Sequence, residues 1–377
     1  MDSLGLYSEI ESGRRPAILD VRNPDEFARW KIEGPGRADT LNLPYFAFID
    51  AEADSVSKTR AWKSAHPGDL VVVCAKGDSS AFVAEILRTA GLAATNLEGG
   101  MAAWGQSSTI KPLDTGSSVR AWQILRFGKG CLSYLVAADD DAIVVDPHRR
   151  IEVYRRAVAD FGLKLRGVVD THLHADHRSG GRALARAESV PYYVHSADFG
   201  AANFDFSSVH DRTLLSLGEE GVPFKFLGAP GHTPGGTMLL VDGRLLLTGD
   251  TLFAGSVGRP DLGGRARQWA GDLYETLVER LGTLDGSVRV LPAHTSGPSE
   301  FRADGTVWES LVNLRARLGL LRLPRNLFIE AVLDGLAPAP PGYETLRRLN
   351  LELENATDDE LSELELGKNE CALARKG

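Results

Sequence analysis

The segment THLHADH at 171–177 constrains this 377-residue chain more than any other feature. It places three histidines and an aspartate within seven residues, and His172, His174 and His177 are three of the nine histidines in the whole chain. An apolar run, LRGVVD at 165–170, precedes it and is typical of a buried strand. Because ligand side chains that follow the end of a strand converge on one point, the segment predicts a metal site.

Three further candidate ligands follow along the chain. They are His232 in GHTPGG, Asp250 in LLLTGD and His294 in LPAHT. Each comes directly after an apolar, strand-like run, and active-site residues of layered α/β folds gather at such strand ends. A single histidine beside a strand is usually a packing or surface residue, but packing does not explain the whole ordered set. We therefore treat these residues and the segment THLHADH as one constellation.

Composition narrows the class of protein. With 43% hydrophobic and 25% charged residues, the chain is typical of a globular protein, and its length allows two domains. A net charge of −9 argues against nucleic acid as the main partner. No apolar run approaches a membrane span, and the first residues lack a signal region. Three widely spaced cysteines argue against a disulfide framework, so we expect a cytoplasmic protein without a membrane partner.

The pattern of elements predicts two α/β domains. The first alternates buried strands, such as AILDV at 17–21 and LVVVC at 70–74, with helices, as expected of a parallel sheet. A polar segment without apolar periodicity, 105–118, predicts a linker. The predicted division is a first domain at 1–106, a linker at 107–118, a second domain at 119–318 and a short C-terminal extension at 319–377.

A second chemical signal lies in the first domain. Cys74 ends the strand LVVVC, the loop AKGDS follows, and a helix begins near Ser79 or Ser80. Free backbone N–H groups at a helix N-terminus stabilise a thiolate, and Lys76 adds a positive charge. This arrangement predicts a cradle for a nucleophilic thiolate or for a bound anion. Taken alone, Cys74 is explained equally well as a buried core cysteine at a strand end.

The metal motifs carry a family resemblance. HxHxDH, GHTPGG, TGD and PAH, in this order over residues 118–318, resemble the metallo-β-lactamase superfamily, which implies an αββα sandwich with the metal at one edge of its paired sheets. Two branches are similar, the glyoxalase II thioester hydrolases and the persulfide dioxygenases. Ala175 in place of the glyoxalase tryptophan, the turn GSVGRPDL at 255–262 and the lack of a basic glutathione-binding C-terminal region favour the dioxygenase branch.

The first domain resembles a rhodanese over residues 5–106, through LDVRNPDEF, VVVCAKGDSSAFVAEIL and NLEGGMAAW. In that family the cysteine, here Cys74, takes up a sulfane sulfur as a persulfide. Two positions depart from the family pattern, because Ser79 replaces the usual arginine and Lys31 replaces a histidine. Loss of the arginine removes a bidentate anion clamp that a lysine cannot reproduce. We therefore expect thiosulfate to be a poor substrate, although Cys74 can still carry sulfur.

Together, the resemblances imply an iron-dependent persulfide dioxygenase that also has thiosulfate or persulfide sulfurtransferase activity at Cys74. The implied reaction oxidises a low-molecular-weight persulfide, such as glutathione persulfide, with O₂ to sulfite and thiol. The implied cofactor is one Fe(II) per chain, held by His172, His232 and Asp250, which form a two-histidine, one-carboxylate face. Arg259 is a candidate for gripping a substrate carboxylate, and Lys76 for binding an anion.

The other motif residues have two possible roles, one in each branch of the superfamily. In the dioxygenase branch they orient the ligands, and in the hydrolase branch they complete a two-metal site; they are His174, Asp176, His177 and His294. One alternative function is therefore a dizinc glyoxalase II-type thioester hydrolase. Another is a sulfur-carrier or sensor module whose persulfide on Cys74 is recognised by a partner. Whether the chain forms a homo-oligomer stays open.

The remaining histidines and cysteines receive ordinary structural interpretations. We expect Cys131 to pack at a strand start and Cys371 to lie in a flexible tail. The histidines outside the motifs are expected at the surface or in turns; they are His66, His148, His195 and His210.

Overall fold

A computed structural model of the chain describes residues 1–373. The first domain is a four-stranded, wholly parallel sheet with the strand order β2-β1-β3-β4. Its elements are β1 Ala17–Asp20, β2 Asp39–Asn42, β3 Leu70–Val73 and β4 Thr95–Asn96, with α1 Ser3–Glu11, α2 Pro24–Arg29, α3 Tyr45–Asp50, α4 Glu52–Ser64, α5 Asp78–Thr89 and α6 Gly100–Gln106. Every residue of β1 and β3 is buried, because helices cover both faces of a parallel sheet.

The second domain contains a seven-stranded and a six-stranded sheet. The first runs in the order β11-β10-β9-β8-β7-β6-β5, and the second runs from β12 to β17. Their strands are β5 Ser108–Leu113, β6 Arg120–Arg126, β7 Leu132–Ala138, β8 Asp141–Val145, β9 Lys164–Val169, β10 Tyr192–Val194, β11 Ser207–Ser208, β12 Leu214–Leu217, β13 Val222–Gly228, β14 Thr237–Val241, β15 Leu245–Gly249, β16 Arg289–Pro292 and β17 Glu309–Ser310.

Helices cover both outer faces of the paired sheets. Val136 and Phe226, from different sheets, share the core between them. Tyr154 packs with Leu135 outside the first sheet, and helical side chains pack with β15 outside the second. The helices are α7 Glu152–Asp160, α8 Gly181–Glu188, α9 Ser196–Phe199, α10 Ala266–Tyr274, which continues as a π-helical turn at Glu275–Arg280, α11 Leu311–Arg317, α12 Arg325–Asp334, α13 Tyr343–Asn350 and α14 Asp358–Leu364. The predicted α/β fold, a parallel-sheet domain followed by an αββα sandwich, is confirmed.

The segment predicted as a linker is partly a strand. Residues 108–113 form β5, which pairs antiparallel with β6 over six residues and begins two positions after α6 ends at Gln106. The prediction of a linker at 107–118 is therefore wrong for this stretch. Its side chains are mostly half-buried, because β5 lies at the edge of the sheet, and an edge strand shows no clear alternation of apolar residues.

The C-terminal extension packs against both domains. Lys129 N donates to the carbonyl of Gly367, and Gln106 donates to Ser362. Cys371 is 1% exposed, and its carbonyl accepts from Arg259 N at 3.0 Å, so the prediction of a flexible tail is wrong at this position. Long-range pairing, which local sequence does not reveal, orders it. No helix among residues 1–373 is long and apolar enough to cross a bilayer.

Candidate metal centre and cysteine loop

The predicted ligands lie at one edge of the sandwich because each follows a strand. The segment 171–177 comes after β9, His232 after β13, Asp250 after β15 and His294 after β16. Strands β15 and β16 are parallel neighbours, so their carboxyl ends place Asp250 and His294 side by side. The sheet order thus brings together residues that are far apart in the sequence.

Three of these residues form a compact triad. One donor atom from each of His172, His232 and Asp250 lies within 4.8 Å of the others, and all three side chains are buried. Asp250 Oδ2 is 3.7 Å from His172 Nε2 and 3.9 Å from His232 Nε2. In the described part of the chain, His172 Nε2 and Asp250 Oδ2 have no hydrogen-bond partner. Buried, unpartnered donors that face one point fit a divalent cation, and two imidazoles with one carboxylate suit Fe(II).

Hydrogen bonds at the other ring nitrogen fix how each histidine faces the triad. His172 Nδ1 lies 2.9 Å from Thr171 Oγ1, which in turn donates to Asp146, and His232 Nδ1 lies 2.8 Å from the carbonyl of Arg259. A donating Nδ1–H leaves the lone pair on Nε2 for a metal. Burial, together with the nearby His174, holds the pKa of His172 well below its usual value, so the ring is neutral as a ligand must be.

The remaining motif residues divide into two groups. Asp176, His177 and His294 lie together, and a donor atom of Cys131 lies within 4.8 Å of theirs. The ring of His174 lies between those of His172 and His177, with centroids 4.3 and 4.5 Å away, and its Nε2 is 3.3 Å from Asp146 Oδ1. We name Cys131, Asp176, His177 and His294 the thiol cluster.

His294 connects the thiol cluster to the triad. Its Nδ1 is 2.7 Å from Asp250 Oδ1, and its Nε2 is 2.8 Å from Asp176 Oδ2. Burial raises the pKa of Asp250, but the positive charge of His294 outweighs it and holds that pKa below its usual value. Asp250 is therefore a carboxylate, the form that binds a cation.

Cys131 is one of the site residues that sequence reasoning missed. It directly precedes β7, as predicted, but a β-bridge to His294 turns its position into part of the cluster. His148, predicted at the surface or in a turn, lies in the turn after β8, so the turn prediction holds. The residue is nevertheless 1% exposed, and its ring packs at a tilt against Tyr154. The other three histidines outside the motifs are half-buried or exposed, as expected.

Arg259 lies in a different setting from the one predicted. It is 2% exposed, and its guanidinium makes two parallel bonds to Asp261, at 2.7 and 2.8 Å. The same side chain donates to the carbonyls of Ala337 and Glu370. These contacts hold the C-terminal extension against the turn after the triad, which argues against a role in gripping substrate.

Cys74 lies at the start of a helix, as predicted. Gly77 N donates to its sulfur at 3.0 Å and Ser80 Oγ at 3.1 Å, and α5 begins at Asp78. Lys76 is exposed and Cys74 is buried. A Cβ on Gly100 would lie 2.3 Å from the Cys74 carbonyl oxygen, and this glycine has a φ of 56°. Only glycine allows such a close approach, so the GG pair at 99–100 shapes the cysteine loop.

A cavity of about 630 Å³ lies between the cysteine loop and the C-terminal extension. Ala75 and Met101 line it from the first domain, and Leu349 and Glu370 from the extension. Basic side chains from both domains, including Lys129, and several glutamates also line it. Its lining therefore presents positively and negatively charged side chains to a small polar molecule.

Comparison with known proteins agrees with this architecture. The profile of the metallo-beta-lactamase superfamily matches residues 126–294, and that of the rhodanese-like domain matches residues 5–107. An uncharacterised protein of Mycobacterium leprae is 32% identical over 191 residues, which cover 44% of this chain and 86% of the relative. The crystal structure of ETHE1 from Myxococcus xanthus has a TM-score of 0.54 at 24% identity, covering 62% of this chain and 98% of that one, and supports the fold alone.

For two relatives with named activities, the match to this chain covers less than two thirds of the relative's own length. A hydroxyacylglutathione hydrolase of Anaeromyxobacter dehalogenans is 36% identical over 169 residues, covering 45% of this chain and 63% of the relative. The mitochondrial persulfide dioxygenase ETHE1 of Bos taurus is 32% identical over 158 residues, which cover 41% of this chain and 59% of the relative. The fold and its clustered ligands define a metal-dependent α/β sandwich enzyme joined to a cysteine-bearing domain. The chain belongs to the metallo-β-lactamase superfamily and carries an N-terminal rhodanese-like domain.

Proposed function

We propose that this protein is a mononuclear iron persulfide dioxygenase whose first domain transfers sulfane sulfur. The observation that carries the proposal is the triad of His172, His232 and Asp250, a two-histidine, one-carboxylate face that leaves positions open for substrate and O₂. The similarity to the bovine persulfide dioxygenase supports it. A rhodanese-like domain in the same chain adds a second group suited to the same sulfur chemistry.

The proposed reaction converts a thiol persulfide, O₂ and water into thiol, sulfite and two protons. The outer sulfur of the persulfide is oxidised, O₂ is reduced, and the S–S bond breaks. Iron supplies the O₂ activation that redox-inert zinc cannot. The chain holds the ligands: Thr171 keeps His172 oriented, and His294 keeps Asp250 oriented.

The role proposed for Cys74 is to carry sulfane sulfur as a persulfide. Donors from Gly77 and Ser80 converge on its sulfur and stabilise a negative charge there. The adjoining cavity, with both basic and acidic lining, suits a small thiol that carries both charges, such as glutathione. We therefore assign this cavity to the acceptor thiol.

A second candidate function is thioester hydrolysis. The similarity to the hydroxyacylglutathione hydrolase favours it, and so does the presence of Asp176, His177 and His294 beside the triad, which can complete a two-metal site. Both candidates use the same edge of the sandwich, so the reaction itself must be measured.

The deciding experiment adds glutathione persulfide to iron-loaded protein and follows O₂ and sulfite. We expect equal amounts of O₂ lost and sulfite formed, and loss of both in His172→Ala. Cys74→Ser is the matched control, which should keep O₂ uptake and lose sulfur transfer. Hydrolysis of a glutathione thioester by the zinc-loaded protein, with no O₂ uptake by the iron-loaded protein, would overturn the proposal in favour of the hydrolase.

A further inference from the structure

The triad side chains are buried. His172 and His232 are each 3% exposed, and Asp250 is 1% exposed. Both candidate reactions bring a substrate much larger than water within bonding distance of a metal held by these groups. An element that covers the triad must therefore move aside when substrate enters.

One side of the triad is covered by the last residues that the structure describes, 368–373, which we name the closing segment. Within it, Cys371 is 1% exposed, and its side chain interacts with Asp250 and His294. The preceding residue, Glu370, instead lines the cavity of about 630 Å³ beside the cysteine loop. The closing segment therefore forms part of the wall between that cavity and the metal centre.

Backbone hydrogen bonds hold the closing segment to the turn that follows Asp250. Arg259 N donates to the carbonyl of Cys371 at 3.0 Å. Leu373 N donates to the carbonyl of Val257, also at 3.0 Å. Because opening exchanges such bonds for bonds with water, each contributes little net free energy to the closed arrangement.

The closing segment is held less firmly than the residues just before it. Glu365 makes a buried ion pair with Arg126. Lys368, in the closing segment, instead pairs with Glu33 at the surface, where an ion pair contributes little stability. Among residues 1–373, the side-chain nitrogen of Asn369 is buried without a hydrogen-bond partner. Water would satisfy this donor on opening, so the closed arrangement carries a cost that the open one does not.

Gly367 lies between the firmly held residues and the closing segment. Its φ is 110°, and a Cβ added there would meet no atom within 4 Å. Any other residue would be strained at this φ although there is space for its side chain. Gly367 is therefore suited to absorb the change in backbone angles that a hinge requires.

We propose that the closing segment is a gate that opens about Gly367 and joins the cavity beside the cysteine loop to the metal centre. In the closed arrangement Cys371 occupies the space next to Asp250. In the open arrangement a molecule in the cavity reaches the triad without passing through bulk solvent. The inference rests on the proposed function for the need to admit a substrate, and it applies to a persulfide and to a thioester alike.

Two buried cysteines report on opening. Cys371 lies in the closing segment, whereas Cys131 is similarly buried within the sandwich and serves as an internal control for unfolding. Full-length, zinc-loaded protein is treated with iodoacetamide, and mass spectrometry follows the modification of each cysteine with time. Release of zinc to a chelator is recorded on the same samples. Neither measurement requires turnover.

Gly367→Ala should make Cys371 react about tenfold faster, because the strain of the added Cβ is released on opening. Zinc release should accelerate by a similar factor, since the ion leaves by the same opening, while the reactivity of Cys131 should stay unchanged. Gly243→Ala is the matched control. Gly243 also has a positive φ, 63°, and open space around it, but it lies in the hairpin between β14 and β15. This variant should leave both readouts unchanged.

Three outcomes would overturn the inference. They are unchanged reactivity of Cys371 in Gly367→Ala, equal acceleration of Cys131, and faster modification of Cys371 without faster zinc release. If Gly367→Ala does not fold, Leu373→Ala decides, because it removes the buried apolar side chain at the far end of the closing segment and should accelerate both readouts. A failed dioxygenase assay with these accelerations intact would reject the proposed reaction and leave the gate standing.

Discussion

Glu365 Oε2 lies 2.6 Å from Arg126 Nη2, in a buried ion pair that joins the C-terminal extension to β6. The same carboxylate accepts from Arg149 Nε at 3.0 Å, and its other oxygen accepts from the backbone of Arg178 at 2.9 Å. Arg178 directly follows His177, so one carboxylate of the extension compensates two buried arginines and supports the metal-bearing segment.

Replacement of Glu365 by glutamine should destabilise the protein strongly. Removing one partner of a buried ion pair costs about 3–5 kcal/mol, because the arginines keep their charge without compensation. Urea unfolding measures this directly. Glu354→Gln is the matched control, since Glu354 pairs with Arg348 at the surface, and its loss should cost less than about 1 kcal/mol. Equal effects of both changes would contradict this account.

The stability of the wild-type protein should depend on pH through the same residue. Burial raises the pKa of Glu365, but Arg126 and Arg149 outweigh it and hold that pKa below its usual value. A carboxylate with a lowered folded-state pKa stabilises above its unfolded value, about 4.3, and this contribution is lost as the pH falls through the folded value. The difference between wild-type protein and Glu365→Gln should therefore shrink below about pH 4.3, as measured by unfolding across that range.

Asn350→Ala should loosen the segment that carries the ligands. The Asn350 amide donates to the carbonyls of His174 and His177, at 2.9 and 2.8 Å, and its oxygen accepts from Ser179 N. We expect metal affinity to fall about tenfold, as when groups behind a ligand are removed. Chelator competition measures it, and Asn355→Ala, at an exposed position of the same extension, should leave affinity unchanged. Unchanged affinity in Asn350→Ala would show that these bonds do not hold the site.

Thr171→Val should weaken iron binding at the triad with little change in shape. The substitution removes the hydroxyl that accepts from His172 and donates to Asp146. Affinity should fall about 10–100-fold, because the ring is no longer held in its ligand orientation. Thr171→Ser keeps the hydroxyl and should restore affinity. A valine variant that binds iron as tightly as wild type would exclude this role.

Ser79→Arg should improve sulfur transfer from thiosulfate. Ser79 stands five positions after Cys74, where the rhodanese pattern has an arginine, and it lies in the first turn of α5. A planar guanidinium can bind the anion with two bonds, and we expect an increase of about tenfold in kcat/KM. Ser79→Lys adds the positive charge without the two-bond geometry of a guanidinium, so its kcat/KM should increase less. Equal gains from both would mean that charge alone is limiting.

The sequence allowed prediction of the two domains and of the elements around the motif residues. His172, His232 and Asp250 each follow a strand, and strand ends are recognisable from apolar runs that stop at glycine or threonine. Cys74 and Ser79 likewise belong to one local strand–loop–helix pattern. Local patterns sufficed here because the ligands sit beside the elements that position them.

The rest depends on contacts between distant segments. Cys131 joins its cluster through a bridge to His294, 163 positions away in the numbering (294 − 131), and no local pattern marks it. Cys371 is ordered by pairing of the last described residues with the segment around Val257. Strand β5 resembled a linker because its side chains are half-buried at a sheet edge. Such placements follow from packing, which periodicity does not record.

The junction between the domains bears on how sulfur would pass from one site to the other in the proposed function. Helix α6 ends at Gln106 and β5 begins at Ser108, while the C-terminal extension contacts both domains. This junction contains no flexible linker on which the rhodanese-like domain could swing in the proposed function. In the proposed function, a carrier molecule released beside Cys74 would therefore start its path to the metal centre from a fixed place, which is set by the geometry of the joint.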